Sequence, residues 1–184
     1  RRIAGAPRRT LRRPPRRRPM TDGMTREAAQ TLHATCLIVG EAGVLIRGAS
    51  GAGKSRLARA LLAEAALRGL FARLVGDDHV SVEAAGGRLI AHGHPAVAGL
   101  IEARGLGLLP ARSEAFCVVR LVVDLEEQPG ARMQEPSEQA IAIAGIAVPR
   151  LALGREADRA DLVLAALTLG EPVQRGDAPS KKRA

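Results

Sequence analysis

The sequence predicts an α/β fold: a P-loop-containing single domain with a mixed central sheet and hairpins. Three observations carry that prediction. An apolar strand, Val44-Leu45-Ile46-Arg47, runs into Gly48-Ala49-Ser50-Gly51-Ala52-Gly53-Lys54-Ser55, the G-x-x-x-x-G-K-S pattern of a phosphate-binding loop. A helical pattern follows at once, and then a second apolar run that stops at Asp77-Asp78. Flanking segments of strand character are broken by short glycine-containing turns, as hairpins require.

At 184 residues the chain has room for one domain with a real core. Aromatic residues make up only 1%, so that core must be built from Leu, Val, Ile and Ala. The formal charge of +9 suggests a nucleic-acid partner until it is located. Nine arginines fall within residues 1–19, and the remaining 19 basic residues balance 19 acidic ones. Residues 1–24 therefore read as a disordered Arg- and Pro-rich extension, with Met20 and Met24 as candidate true starts. An RNA-binding arm is the alternative use of such a segment. Residues 25–170 form the expected domain, and 171–184 a polar tail. There is no signal-peptide pattern and no run of about 18 apolar residues, so neither export nor a membrane span is expected. Cys36 and Cys117 lack metal-ligand spacing and read as buried small hydrophobes, which suits a reducing cytoplasm.

Gln30 to Val39 is rich in apolar and β-branched residues and predicts a strand, hairpinned through Gly40-Glu41-Ala42-Gly43 to Val44–Arg47. That places His33 on a strand paired with the one feeding the loop, where a lone histidine is usually structural. Gly48, Gly51 and Gly53 allow backbone N–H groups to curl around a phosphate chain. Lys54 supplies a point charge, Ser55 a hydroxyl for Mg²⁺, and the following helix directs its positive end at the same anion. That helix is predicted over Lys54–Leu67, with an apolar stripe at Leu57, Ala58, Leu61, Leu62, Ala65 and Ala66 and a C-terminal Gly69. Leu70 to Gly76 is the next strand. Asp77 and Asp78 stand at its carboxyl end, where parallel α/β units bind ligands, though an Asp pair also serves as a solvated turn.

A second hairpin turns at Gly86-Gly87, and His79, His92 and His94 show no chelating spacing. In Ile101-Glu102-Ala103-Arg104-Gly105-Leu106-Gly107 an extended chain would point Glu102 and Arg104 the same way, toward each other or toward a ligand. Val118–Leu125 is a strand, Glu126–Pro136 a polar loop carrying Arg132, and Ile141–Val148 contains a further strand-like segment whose exit Pro149 marks. Arg155–Leu169 is a closing helix with Ala157, Ala160, Leu162, Leu164, Ala165 and Leu167 as its apolar positions.

Leu32-His33, Gly48–Ser55, Leu74-Val75-Gly76-Asp77-Asp78, Ile101–Gly107 and Val148-Pro149-Arg150 together resemble, in kind and order, the HPr kinase/phosphorylase family. The likeness covers roughly residues 27–169 and is to the short form that consists of the catalytic domain alone. The phosphate loop is common to many families; Glu-x-Arg-Gly-Leu-Gly downstream of Asp-Asp is far more specific. The resemblance implies transfer of the γ-phosphoryl of ATP to a serine of the phosphocarrier HPr, with reverse phosphorolysis in many members and assembly as hexamers. It implies Asp77 as catalytic base tuned by His33. Lys54 and Arg104 would act on the phosphates, the loop Gly48–Ser55 would hold ATP, and Ser55, Asp78 and Glu102 would surround Mg²⁺. Arg132 would match an arginine of a mobile loop. Where the family often has an acid after Lys-Ser, this chain has Arg56. The expected partner is an HPr-like phosphocarrier, with no nucleic acid and no membrane.

A small-molecule P-loop kinase would need a lid with several arginines, and Arg132 alone is supplied. No Asn-Lys-x-Asp guanine motif and no Leu-Ser-Gly-Gly-Gln stretch is present. A degenerate ATP-binding regulator without kinase activity is the reading from another class.

Overall fold

The computed structural model describes residues 29–127, 139–155 and 158–169. In chain order the strands are β1 (Gln30–Leu32), β2 (Thr35–Val39), β3 (Ala42–Gly48), β4 (Ala72–Gly76), β5 (Val80–Ala85), β6 (Arg88–Gly93), β7 (Leu100–Ala103), β8 (Gly107–Pro110), β9 (Phe116–Leu125), β10 (Ala140–Ile143) and β11 (Ile146–Leu153). Helix α1 (Lys54–Leu67) follows β3, and helix α2 (Arg159–Leu169) closes the described chain. The main sheet is mixed and curled, in the order β1-β5-β6-β9-β3-β2-β4, with β10 and β11 attached through β11 to β9. β7 and β8 form a separate hairpin.

Two apolar layers hold the sheet. On one face α1 and α2 pack Leu57, Leu61, Val163 and Leu164 against Leu37, Val44, Ile46, Leu121 and Val123. On the other face Cys36, Leu45, Val122 and Val148 meet Val80, Val82 and Leu89 of the curled portion. The alternation along β2 and β3 is what period-two patterning dictates. β9 does not alternate throughout. Its register with β3 slips between Gly43 and Val44, so Arg120 is an extra residue. Cys117 and Val119 before it and Leu121 and Val123 after it therefore face opposite layers.

Helix α1 begins and ends where its sequence pattern places it. It closes in a Schellman turn: Leu70 N donates to Ala65 O and Gly69 N to Ala66 O, with Gly69 at φ 68°. The strand–loop–helix–strand unit is parallel in sense, yet β3 and β4 are not neighbours, because β2 lies between them antiparallel to both.

Several local expectations are corrected. The strand expected over Gln30–Val39 breaks at His33-Ala34, because β1 pairs with β5 while β2 pairs with β3 and β4. His33 thus occupies the bend between two strands and is not on a strand paired with β3. The stretch around Glu102 and Arg104 is not extended throughout: Leu106 N donates to Ala103 O, closing a turn that contains Arg104. Pro149 does not end a strand. It sits inside β11 where the strand passes from β10 to β9, so its missing N–H interrupts neither ladder. The segment Ile141–Val148 does contain strand, but as the two arms of a hairpin turned at Ala144-Gly145, both at positive φ. In α2 the buried positions are Val163 and Leu164, whereas Leu162, expected inward, is exposed. The expectations for residues 1–24, Arg132, Ala157 and 171–184 lie outside the described residues.

Candidate active site

Gly48, Gly51 and Gly53 take φ values of 146°, 80° and 99°, so the loop between β3 and α1 adopts the left-handed geometry its glycines permit. Gly53 caps the helix. Ala49, Ser50 and Ala52 complete the loop, with Ala52 N donating to Ala49 O. Lys54 is buried, and its Nζ donates to the carbonyls of Gly48 (3.1 Å) and Ala49 (3.2 Å). Two backbone oxygens therefore hold the ammonium over the loop.

β4 delivers Asp77 to the same place. Gly76 and Gly93 make this possible: β4 and β6 cross so closely that a Cβ on Gly93 would collide with the carbonyl oxygen of Val75. Asp77 is 7% exposed and fully engaged. Oδ1 accepts from Thr35 Oγ1 (2.6 Å) and Ser55 Oγ (2.9 Å), and Oδ2 accepts from the backbone N–H of Glu102 (2.9 Å). Asp78, one residue on, is in the left-handed region at φ 64° and faces outward. Its Oδ1 lies 3.7 Å from His33 Nδ1, with the side chains 41% and 53% exposed respectively.

The β7–β8 hairpin brings Glu102 and Arg104. The Glu102 side chain is exposed, and its backbone rather than its carboxylate touches Asp77. Arg104 leans over the loop: its Nη2 is 3.6 Å from the point a Cβ on Gly51 would occupy. Every site residue named from sequence among those described thus gathers around the loop and the end of β4. Arg56, where an acid was expected, is exposed.

Three contributors were not singled out from sequence. Thr35 is a completely buried hydroxyl in the strand Thr35-Cys36-Leu37, and a polar residue opening an apolar strand was its only signal. Arg159, on the first turn of α2, donates through Nη1 to Ala52 O (3.2 Å) and through Nε to Gly154 O, fastening the helix to the loop. Asp124 receives both arms of Arg47 (2.8 and 2.7 Å) and Nε of Arg150 (2.6 Å), while Arg150 Nη2 reaches Glu126 (2.9 Å). This network binds β3, β9 and β11 together at the end of β3 that feeds the loop. Burial alone would raise the Asp124 carboxyl, but the hydrogen bonds and charges of Arg47 and Arg150 outweigh it and hold it below its ordinary value.

Cys36 and Cys117 are buried, and each is the other's neighbour, with Sγ atoms 3.5 Å apart. Hydrogen bonding to Cys117, with burial next, pushes the Cys36 thiol well above its usual value, so it is not a reactive thiolate. His92 bonds Glu83 (3.2 Å), and the rings of His79 and His94 meet edge to face. Among the described residues no three His, Cys, Asp or Glu side chains are grouped so as to hold a metal, and no helix is long and apolar enough to cross a membrane.

The HPr kinase/phosphorylase of Mycoplasma mycoides subsp. mycoides SC is 34% identical over 102 residues, covering 52% of this chain and 31% of that protein. The chain thus spans about a third of the length of the curated relative it matches. The HPr(Ser) kinase/phosphatase structure from Coxiella burnetii superposes with a TM-score of 0.63 at 26% identity, over 75% of this chain and 93% of that one. The model of the HPr serine kinase C-terminal domain matches residues 25–159, and the chain belongs to that family.

Proposed function

We propose that the chain is the phosphoryl-transfer domain of an ATP-dependent serine kinase. Its acceptor is a seryl hydroxyl of an HPr-like phosphocarrier protein of the sugar/nitrogen phosphotransferase system. The observation that carries this reading is the unequal pair Asp77 and Asp78: one acid locked to the loop serine, the next open to solvent beside a histidine. Phosphoryl transfer asks for that division, with one carboxylate on the metal side and one facing the nucleophile.

The residues fit ATP and Mg²⁺. The loop N–H groups and the α1 N-terminus suit a triphosphate, and Lys54 suits its β- and γ-oxygens. Mg²⁺ is held by few protein ligands together with phosphate oxygens, so Ser55 backed by Asp77 is an adequate protein share, with Glu102 as the further acid at hand. When bound, the cation neutralises charge developing on the transferred group. On this geometry the roles expected of the two aspartates exchange. Asp77, with both oxygens occupied by donors, belongs to the metal side. Asp78 accepts the serine proton, with His33 positioned to stabilise its charge. Arg104, above Gly51, stabilises the migrating phosphoryl. Reverse phosphorolysis uses the same groups: inorganic phosphate attacks the phosphoserine phosphorus, the P–O bond to serine breaks as the protonated Asp78 gives its proton to the departing serine oxygen, and pyrophosphate leaves. The same reading makes the protein a cytoplasmic homo-oligomer, hexameric as in its family, acting on neither nucleic acid nor membrane.

The test incubates the full chain with γ-labelled ATP, Mg²⁺ and the HPr-type proteins of its own organism. Label should appear on serine and vanish with Lys54→Ala. ATP binding without label on any carrier would instead mark a regulator, and label on a small molecule a metabolite kinase.

A further inference from the structure

Away from the phosphate loop, the outer side of α1, the start of β4 and the base of the β7–β8 hairpin line an open pocket of about 490 Å³. Three arginines line it: Arg59 from α1, Arg73 from β4 and Arg112 from the segment after β8. No carboxylate does. The floor is apolar, with Leu62, Ala66 and Leu109 among its residues. None of the loop residues 48–55 and neither aspartate lines it.

The three cations are not equally satisfied. Arg73 is stacked on the Phe71 ring, 4.7 Å from its centroid, and donates to the Ala72 carbonyl. Arg112 is exposed. Arg59 Nε is buried without a hydrogen-bond partner among the described residues. A buried donor of a charged group left unpaired is costly, and three like charges lining one pocket without a carboxylate add to that cost. An anion bound in the pocket offsets both penalties. The volume falls in the range of small-molecule sites, and guanidinium forks match carboxylate and phosphoryl oxygens equally well.

We propose that this pocket is a second anion site, for a small organic molecule carrying two or more carboxylate or phosphoryl groups on a carbon body. Its wall is the base of the hairpin that bears Glu102 and Arg104, so occupancy braces that hairpin against α1. The site does not depend on the chain being a kinase.

The test is calorimetric titration at low ionic strength, using the full chain with Lys54→Ala so that the phosphate loop is a poor anion site. Citrate and methylenediphosphonate are the two probes, one for each acid chemistry. At least one should bind with 1:1 stoichiometry and a Kd below about 1 mM. Arg112→Ala, an exposed change that leaves the fold intact, should weaken that binding about tenfold, and Arg59→Met should abolish it. Circular dichroism checks that Arg59→Met is folded, and Arg112→Ala decides the matter alone if it is not. Two results overturn the site: neither probe saturating by about 10 mM, or binding that Arg112→Ala leaves unchanged.

Discussion

A carboxylate whose two oxygens already accept three hydrogen bonds has little acceptor capacity left for an incoming hydroxyl. Asp77 is in that position, held by Thr35, Ser55 and Glu102, and Asp78 is not. Asp78→Asn should therefore lower phosphoryl transfer by about 10²–10⁴-fold while leaving ATP affinity nearly unchanged. Asp77→Asn should act differently, raising the Mg²⁺ concentration needed for half-maximal transfer. Single-turnover assays across a Mg²⁺ titration separate the two. If Asp77→Asn is dead at every Mg²⁺ level and Asp78→Asn retains full rate, the base is Asp77. From sequence the pair is conspicuous but its members are indistinguishable, since neighbours on a chain differ only in which way the fold turns them. Thr35 was invisible for the same reason: its role is a contact across 42 residues.

At the level of elements, the meeting of β4 and β6 is the tightest joint near the site. Gly93→Ala should destabilise the protein by at least ~2 kcal/mol, because the new methyl meets backbone that cannot rotate away. Urea unfolding followed by circular dichroism measures it; with no Trp or Tyr, fluorescence would not. A Gly93→Ala protein of native stability would refute the crossing. The Asp124 network links three strands and makes a second prediction. Its carboxyl is lowered in the folded state, so its contribution is present above the ordinary carboxylate pKa and is lost as pH falls through the folded value. Asp124→Asn should cost about 3 kcal/mol at pH 7, since Arg47 and Arg150 lose the negative charge between them, and the gap to wild type should narrow below about pH 4. Parallel melts at pH 7 and pH 3.5 check both halves.

Over the whole molecule, the parts governed by local pattern were legible. The bounds of α1, the Gly86-Gly87 hairpin and the loop before Lys54 follow from spacing and glycine placement. What escaped was set by pairing between distant strands: the break at His33, the insertion of β2 between β3 and β4, and the passage of β11 from β10 to β9 through Pro149. Period and propensity do not encode which strand lies beside which. The residues that gather at the candidate site stood out in sequence because their types are chemically unusual in apolar surroundings, whereas their mutual contacts did not. Asp78 stands at φ 64°, where a Cβ is disfavoured by roughly 1–2 kcal/mol and glycine is at ease. Asp78→Gly should then raise the melting temperature by on the order of 2–4 °C while silencing the domain. That pair of outcomes would mark Asp78 as a position where backbone ease is traded for chemistry, heat resistance being forgone in favour of turnover.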